Sequence, residues 1–246
     1  MNIITDTDNT AAYSGTHILQ ALTGAKKYNK FLVSLVLRCL RVIPKHECSP
    51  RILDAGSGIG TFAKILYETG EIRKEDIACF DPDPAQAYVS RKNGFTTESD
   101  LSRISDVSMD LIYSLNVIEH IEDDVAAIRD WVTKLKPGGR MLLYVPAHEC
   151  LTSSLDRQVG HFRRYTRKSL TRTAESAGLR VTTPARYADC LGFFGSLAYK
   201  WTVKDASLSA NGIALFDKVI FPISLLLDPI CNRIFGKNVW LVAEKN

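Results

Sequence analysis

The chain has 246 residues, of which 46% are hydrophobic and 24% charged, and its net charge is only +4. This composition is typical of a soluble globular protein and argues against a disordered, collagen-like or coiled-coil chain. Basic residues are dispersed along the sequence, whereas nucleic-acid binders concentrate them on one face. We therefore expect no nucleic-acid partner.

The N-terminus and the cysteines bear on the cellular compartment. The first ten residues lack the basic and apolar regions of a secretory signal, and no stretch reaches the roughly 18 apolar residues of a membrane-spanning helix. The six cysteines are far apart and form no C-x-x-C pair, which argues against a zinc ribbon or a disulfide framework. The sequence predicts a cytoplasmic protein.

Residues 1–49 are predicted to be an N-terminal segment with one helix. Residues 1–24 are polar and are expected to be flexible or locally ordered, and residues 44–50 are expected to be a linker. Between them, apolar residues recur at helical spacing over residues 25–42, which predicts an amphipathic helix that caps the following domain.

Residues 50–246 are predicted to form the main domain, in which strands and helices alternate. One helix is expected to begin at Pro82, because proline at a first helical position sacrifices no hydrogen bond. This order predicts an α/β fold with a mostly parallel sheet covered on both faces, whose ligands bind beyond the carboxyl ends of the strands. The first five strands are expected at residues 51–55, 77–80, 95–98, 109–114 and 140–145.

A glycine-rich turn follows the first strand. Alternate glycines allow a tight turn with positive φ and let a ligand lie against the backbone, and the next helix N-terminus suits an anionic group. A dinucleotide fingerprint would need glycine where Thr61 stands. A carboxylate at Asp54 suits an ammonium group better than a pyrophosphate. The alternative is a turn that merely connects a strand to a helix. The candidate ligand-binding residues are Asp54, Gly56, Ser57, Gly58 and Gly60.

Acidic residues also follow the second and third strands. Asp81, which precedes Pro82, could accept hydrogen bonds from both hydroxyls of a ribose or could cap the next helix. Asp100 and Leu101 follow the third strand, where a carboxylate or a backbone group could meet an adenine amino group. A simple turn aspartate is the alternative there. All these residues are predicted at one edge of the sheet.

Four segments resemble the class I S-adenosylmethionine-dependent methyltransferases, specifically the small-molecule group with a methyltransferase-11/12 type domain. The resemblance covers about residues 50–185 and implies a Rossmann-like seven-stranded sheet whose last strand is antiparallel, with strands six and seven at 179–187 and 238–244. It also implies S-adenosylmethionine as the cofactor, with the methionine part at the glycine turn, the ribose at Asp81 and the adenine at Asp100 and Leu101. The matching segments are 54–60, 80–83, 110–121 and 135–140.

The same resemblance assigns two further cofactor residues. Tyr28, followed by Asn29, resembles the aromatic–Asn element by which the N-terminal segment of this family folds over the cofactor. Asn116, after the fourth strand, is expected to approach the amino acid part of the cofactor. Without the resemblance, Tyr28 would be placed on a helix surface.

Three histidines are candidate general bases. Methyl transfer from a sulfonium is an in-line displacement, so the protein mainly aligns the acceptor, excludes water and removes a proton. His120 follows the fourth strand, His148 follows the fifth strand, and His161 lies in the polar segment 156–166. The structural alternatives are that Glu119 and His120 shape a turn and that His148 is a surface residue.

The segment around Glu119 and His120 also resembles the E-x-x-E-H segment of quinone-pathway O-methyltransferases, which is associated with a divalent metal. Asn116 stands in place of the first glutamate. Because hard cations favour carboxylate oxygens, this replacement argues against magnesium, and we predict no metal.

Residues 156–166 resemble a GHxRRY segment of many relatives. Arg163, Arg164 and Tyr165 are candidate substrate ligands, because arginine pairs bidentately with a carboxylate or a phosphate. In the alternative, the arginines tie this loop to strand carboxylates and Thr166 caps the next helix. We favour organisation of the loop over direct catalysis.

Residues 188–237 separate the last two predicted strands and are rich in Phe, Leu, Ile and Trp. Connections of this length are usually functional. We expect a helical lid over an apolar acceptor pocket, with peripheral membrane contact or a homodimer interface as the alternatives. Membrane contact is favoured less, because Lys and Arg are sparse between Asp205 and Phe216.

The sequence thus predicts an enzyme that methylates an O, N or C centre of a small, apolar or lipid-like metabolite. One alternative is an NAD(P)-binding oxidoreductase or epimerase, against which the incomplete fingerprint and the lack of a well-placed Tyr-x-x-x-Lys pair argue. The other is a non-catalytic binding module that retains the fold. The intact Asp54, glycines and Asp81 argue against that second alternative.

Overall fold

The computed structural model describes residues 24–43, 49–202 and 210–246, so the expectations for residues 1–23 and 44–48 lie outside it. One seven-stranded sheet has the order β3-β2-β1-β4-β5-β7-β6. Strand β7 is antiparallel to both of its neighbours, and the other strands are parallel to one another, which confirms the predicted fold. The strands are β1 (Ile52–Ala55), β2 (Ile77–Phe80), β3 (Thr96–Glu98), β4 (Met109–Leu115), β5 (Leu135–Pro146), β6 (Leu179–Ala188) and β7 (Asn238–Lys245).

Helices cover both faces of the sheet and also form the insertion before β7. A π-helical turn, Phe216–Ile220, joins the last two of them. The helices are α1 (Lys26–Arg41), α2 (Thr61–Glu68), α3 (Pro84–Lys92), α4 (Asp124–Lys134), α5 (Ser154–Gln158), α6 (Arg167–Ser176), α7 (Cys190–Thr202), α8 (Ala210–Leu215) and α9 (Phe221–Cys231).

The predicted helix start at Pro82 is wrong. Helix α3 begins two residues later, at Pro84, and its N-cap is Asp83, whose side chain accepts a hydrogen bond from the amide of Ala85 at 2.8 Å. The carboxylate of Asp81 accepts the amide of Asp83 at 3.0 Å, which holds residues 81–83 in a turn instead. A proline does stand at the start of this helix, as expected, but it is Pro84 and not Pro82.

Each face of the sheet carries its own apolar core. On one face, Leu32 and Leu35 of α1 pack with Leu66 of α2 against β1 and β4. On the other face, Ile128 of α4 and Leu170 of α6 pack against β4 and β5. All five side chains are 0–1% exposed, and burying each contributes about 1.5–3 kcal/mol to folding. The N-terminal helix therefore shares a core with the strands.

The insertion lies at the edge of the sheet where the parallel strands end. Its first helix, α7, follows the carboxyl end of β6, and β7 starts beside the end of β5, where Asn238 pairs with Pro146. Asp217, in the π-helical turn, caps α1 by accepting the amides of Lys27 and Tyr28 at 2.8 and 2.9 Å. The predicted helical insertion is thus present and is attached to the N-terminal helix.

Within residues 24–43, 49–202 and 210–246, no helix combines the length and the apolar character needed to cross a membrane.

Candidate functional site

The glycine turn after β1 has the backbone that its sequence predicts. Gly56, Gly58 and Gly60 have φ values of +81°, +54° and +81°, which L-residues with a side chain rarely adopt. A Cβ atom at Gly56 would overlap the side chain of Val117. The amides of Gly56 and Ser57 both donate to the carbonyl of Phe80, at 2.8 and 2.9 Å, which fastens the turn to the end of β2.

Asp54 lies beneath this turn and is 1% exposed. Its Oδ2 and the hydroxyl of Ser57 are both buried, and neither finds a hydrogen-bond partner within the described part of the chain. Burial raises the pKa of Asp54 to about 7. Buried polar groups without partners cost about 1–3 kcal/mol each. A polar ligand bound at the turn could supply hydrogen bonds to both groups.

Asp81 closes the far side of the turn at the end of β2. Its two carboxylate oxygens accept the amides of Gly58, at 2.7 Å, and Asp83, at 3.0 Å, while Pro82 beside it is exposed. Burial raises the pKa of Asp81. Helix capping falls to Asp83 instead, so the carboxylate of Asp81 faces the glycine turn rather than the helix.

Asp100 and Leu101 lie after β3, as predicted, but in a less enclosed setting. The exposed Asp100 side chain accepts the amide of Ser102 at 2.9 Å and caps the short turn Leu101–Arg103. The Leu101 side chain packs against the core under β4 and β5. The turn role is therefore present, and contact with an adenine stays a prediction.

Tyr28 and Asn116 lie side by side in the fold although they are 88 residues apart in the sequence. Asn116 has a φ of +57°, and its Oδ1 lies 3.4 Å from the Nδ2 of Asn238. The hydroxyl of Tyr28 lies beside Asn116 and Tyr144, and burial raises the pKa of Tyr28. The N-terminal helix thus brings an aromatic residue to the end of β4, beside the glycine turn.

A second cluster of polar groups follows β4. Glu119 is 1% exposed, and neither of its oxygens has a hydrogen-bond partner in the described residues. Its Oε1 lies 4.0 Å from the Nε2 of His161, and the rings of His120 and His161 are 4.5 Å apart. Burial raises the pKa of Glu119 to about 8 and lowers that of His120 to about 4. We name these three residues the histidine cluster.

Two imidazoles and a carboxylate are donors that zinc and other divalent transition metals accept. One donor atom from each residue of the histidine cluster lies within 4.8 Å of the others. Asn116 is not part of this set, so the set differs from the motif considered in the sequence. The absence of a metal stays a prediction.

Asp156 positions His161 within the cluster. Its Oδ1 lies 2.8 Å from the Nδ1 of His161 and 2.7 Å from a guanidinium nitrogen of Arg164, and its Oδ2 accepts the amide and hydroxyl of Ser153. Burial raises the pKa of Asp156, but these hydrogen bonds and the charge of Arg164 hold it well below its ordinary value. The ionised carboxylate thus directs the other nitrogen of His161 towards Glu119.

The residues after His161 are engaged internally. Arg164 bonds to Asp156 and to the carbonyl of Ala147 at 3.1 Å, and its side chain is 9% exposed. Arg163 pairs with Asp124 at 3.0 Å, and the hydroxyl of Tyr165 donates to the same carboxylate at 2.6 Å. These contacts match the organisation of the loop favoured from the sequence. Substrate contact by these residues stays a prediction, and the bonds that their side chains make within the chain do not support it.

His148 lies apart from the histidine cluster, in an aromatic wall under the insertion. It has a φ of +61°, stacks on Tyr187 at 4.5 Å and contacts the ring of Phe193 at 5.5 Å. Burial lowers its pKa. Thr166, by contrast, caps α6 as predicted, accepting the amide of Ser169 at 3.1 Å.

Asp156 and Asp124 are the site residues that sequence reasoning did not single out. Asp156 is five positions from His161, and Asp124 is about forty positions from the residues it holds. Neither spacing is a known signature. The one signal was that Asp124 follows Asp123, the helix N-cap, where acidic residues are common.

Comparison with known proteins places these observations in a family. A family model described as a methyltransferase domain matches residues 25–183, more than half of the chain. A ubiquinone biosynthesis O-methyltransferase of Methylocella silvestris is 29% identical over 128 residues, a match that covers 45% of this chain and 48% of that protein. The chain therefore matches only about half the length of this curated relative.

Solved structures share the fold at low identity. A SAM-dependent methyltransferase from Archaeoglobus fulgidus is 16% identical with a TM-score of 0.57, over 94% of this chain and 100% of that one. Phosphoethanolamine N-methyltransferase 2 of Haemonchus contortus, in complex with S-adenosyl-L-methionine, is 18% identical with a TM-score of 0.54, over 85% of this chain and 51% of that one.

The nicotinamide and non-catalytic alternatives lose their basis, because the family match includes the glycine turn, Asp81 and the end of β4. The predicted enzyme class and the cofactor, S-adenosylmethionine, are confirmed. The chain belongs to the methyltransferase domain family.

Proposed function

We propose that this methyltransferase transfers a methyl group to an oxygen of a small, apolar or lipid-like acceptor held beside the histidine cluster, with nitrogen or carbon as the alternative acceptor atom. The observation that carries the proposal is the histidine cluster, in which His161 meets Glu119 and His120 just after β4. Its buried member, Glu119, lies three residues beyond Asn116, the residue that Tyr28 reaches at the predicted cofactor site.

The residues present fit S-adenosylmethionine. The unpartnered Oδ2 of Asp54 would accept the ammonium group, and the positive-φ turn leaves its backbone bare for the methionine part. Asp81 would accept the ribose hydroxyls, and Asp100 with Leu101 would border the adenine. Tyr28 and Asn116 would cover the amino acid end.

The chain's own chemistry concerns the acceptor's proton. The cofactor supplies a methyl group already activated on a sulfonium, so the protein must align the acceptor and remove a proton from it. His161 is proposed as the general base, because Asp156 holds its Nδ1 at 2.8 Å and leaves Nε2 to face the cluster. His120 is proposed to line the acceptor space. His148 is proposed to line its aromatic wall.

Two observations support an apolar acceptor and oxygen as the methylated atom. Phe193 of the insertion and Tyr187 at the end of β6 both contact the ring of His148 at the same sheet edge. The curated relative is named as an O-methyltransferase, and an imidazole is a suitable base for a hydroxyl proton. Phenols that carry alkyl chains of increasing length are therefore the acceptors to test first.

Thermal unfolding with S-adenosylhomocysteine or NADH tests the cofactor residues. Ligand at about 100 times its Kd contributes about 2.7 kcal/mol of stability, so S-adenosylhomocysteine should raise the Tm and NADH should not. Asp54→Asn should reduce the Tm shift. Asp110→Asn should leave it unchanged, because Asp110 lies near the start of β4 and the candidate site lies at its other end.

Methyl transfer to the phenol series tests the acceptor site. His161→Gln should lower kcat by about 10²–10⁴-fold while the affinity for S-adenosylhomocysteine is retained. Equal activity of the variant and the wild type would contradict the proposed base. Loss of wild-type activity on chelation, restored by zinc, would instead assign the histidine cluster to a metal.

A further inference from the structure

The outer face of the insertion carries a row of exposed apolar side chains. Their spacing of four, three, four and four residues places them along one side of the π-helical turn, α9 and the residues after it. Three of them are at least 70% exposed. We name this row the apolar ridge: Val219 (48% exposed), Ile223 (45%), Leu226 (78%), Ile230 (77%) and Ile234 (70%).

The opposite face of α9 already has its partners. Phe221 and Ser224 are fully buried, and the hydroxyl of Ser224 accepts the amide of Leu191 in α7 at 2.9 Å. Asp228, the charged residue of α9, caps α7 by accepting the amides of Asp189 and Cys190, both at 2.9 Å. Among residues 24–43, 49–202 and 210–246, the ridge is therefore the face of α9 that packing leaves exposed, and it presents no charge of its own.

A basic groove adjoins one end of the ridge. Ile234 lines it, together with cationic residues that α6 and the residues after α9 supply. Among the described lining residues, Glu175 is the acidic one. The guanidinium of Arg167 donates to the carbonyl of Arg233 at 2.7 Å, which fixes α6 beside the ridge. The cations of the groove are Arg167, Lys168, Arg172 and Arg233.

Cations also lie at the other end of the ridge. The ammonium of Lys27 contacts the carbonyl of Lys218 at 3.2 Å, and both side chains are exposed next to Val219. The neighbouring carboxylate of Asp217 is buried and occupied by the amides of α1. The ridge is therefore apolar along its length and positive at both ends.

This charge arrangement decides between two occupants. If a second copy of the chain paired its ridge with this one, in either direction, cations would meet cations at both ends. An anionic lipid bilayer instead accepts apolar side chains into its interface and attracts the lysines and arginines to its headgroups. We propose that the apolar ridge and the basic groove form a docking surface for an anionic lipid bilayer.

The proposal does not depend on the identity of the acceptor. The ridge belongs to the same insertion whose Phe193 and Phe221 contact His148 and Tyr28 at the candidate site, so docking would hold that edge of the sheet near the bilayer. An apolar acceptor dissolved in the membrane would then reach the enzyme without crossing water.

Sedimentation of the full chain with vesicles tests the docking surface. Vesicles of phosphatidylcholine alone should bind little, and vesicles that also contain phosphatidylglycerol should bind well and release the protein at high salt. Leu226→Ser combined with Ile230→Ser should weaken binding by about tenfold or more, because two exposed apolar groups no longer leave water. Lys168→Gln combined with Arg172→Gln should weaken it by on the order of tenfold.

Matched controls come from α2 and α3, which contribute no residue to the ridge or to the groove. Val89→Ser removes an exposed apolar group of α3, and Lys64→Gln combined with Lys92→Gln removes two exposed cations; neither should change vesicle binding. All variants should keep the wild-type Tm shift with S-adenosylhomocysteine, which shows that they fold.

Three results would overturn the proposal. One is equal sedimentation with and without vesicles. Another is vesicle binding that the ridge and groove variants leave unchanged. The third is a concentration-dependent dimer that Leu226→Ser abolishes while vesicles bind neither form, which would assign the ridge to a second copy of the chain.

Discussion

The two halves of the candidate site are built in different ways. On the cofactor side, Asp54, the glycine turn and Asp81 lie within 28 residues, and hydrogen bonds between neighbouring strand ends hold them. On the acceptor side, residues of the β4 end, α5, the loop before α6 and the insertion meet only in the folded chain. A site built on one turn can be recognised as a motif in the sequence. A site assembled from distant segments cannot, because its residues are scattered along the chain.

The largest effect is expected on the acceptor side, at Asp156. Asp156→Ala would leave the guanidinium of Arg164 buried without its carboxylate, which should cost about 3–5 kcal/mol of unfolding free energy. Urea denaturation measures this loss. Glu71→Ala, which breaks the exposed ion pair with Arg41, should cost at most about 1 kcal/mol. Similar losses in both variants would mean that the buried network does not hold the acceptor side together.

On the cofactor side, Asp81→Ala should reduce affinity more than stability. Two charge-assisted hydrogen bonds to ribose hydroxyls contribute about 3 kcal/mol together, so calorimetry should show about a hundredfold weaker binding of S-adenosylhomocysteine. Asp83→Ala is the matched control. It should lose about 1 kcal/mol of stability as a helix cap while binding is unchanged. Retained affinity in Asp81→Ala would refute the ribose assignment.

The pH dependence of binding sharpens the role of Asp54. Burial raises its pKa to about 7 in the free protein, so below that pH the carboxyl is protonated and cannot pair with an ammonium group. Affinity for S-adenosylhomocysteine should therefore fall by about tenfold for each pH unit below 7 and level off above it. Calorimetry at several pH values measures this. Asp54→Asn should bind more weakly, with a flat profile, and an equal slope in both proteins would rule out Asp54.

The smallest effect is expected at Asp217, which joins the insertion to α1. Asp217→Ala removes the cap from the amides of Lys27 and Tyr28 and should cost about 1 kcal/mol. Hydrogen exchange should speed up at those two amides, and Asp217→Asn should restore most of the protection because it keeps an acceptor oxygen. Unchanged exchange in Asp217→Ala would show that the insertion does not hold the N-terminal helix.

The proposed docking surface combines segments that a count of residues along the chain does not bring together. Lys and Arg are sparse between residues 205 and 216, which by itself argues against membrane contact. Three of the four cations of the basic groove come instead from α6, where Lys168 and Arg172 precede residue 188, the start of the insertion, by 20 and 16 residues. Charge complementarity belongs to a surface, and a surface draws on segments that are distant in sequence.

The sequence by itself determined the alternation of strands and helices, the glycine turn and the family. Each depends on residues near one another in the chain, such as the glycines at 56, 58 and 60, whose positive φ values form the turn. Only the tertiary structure decided that Asp156 orients His161, that Arg164 is consumed internally and that the insertion caps α1. These contacts depend on the packing of distant segments, because a buried charge must pair with whichever polar group the fold places beside it.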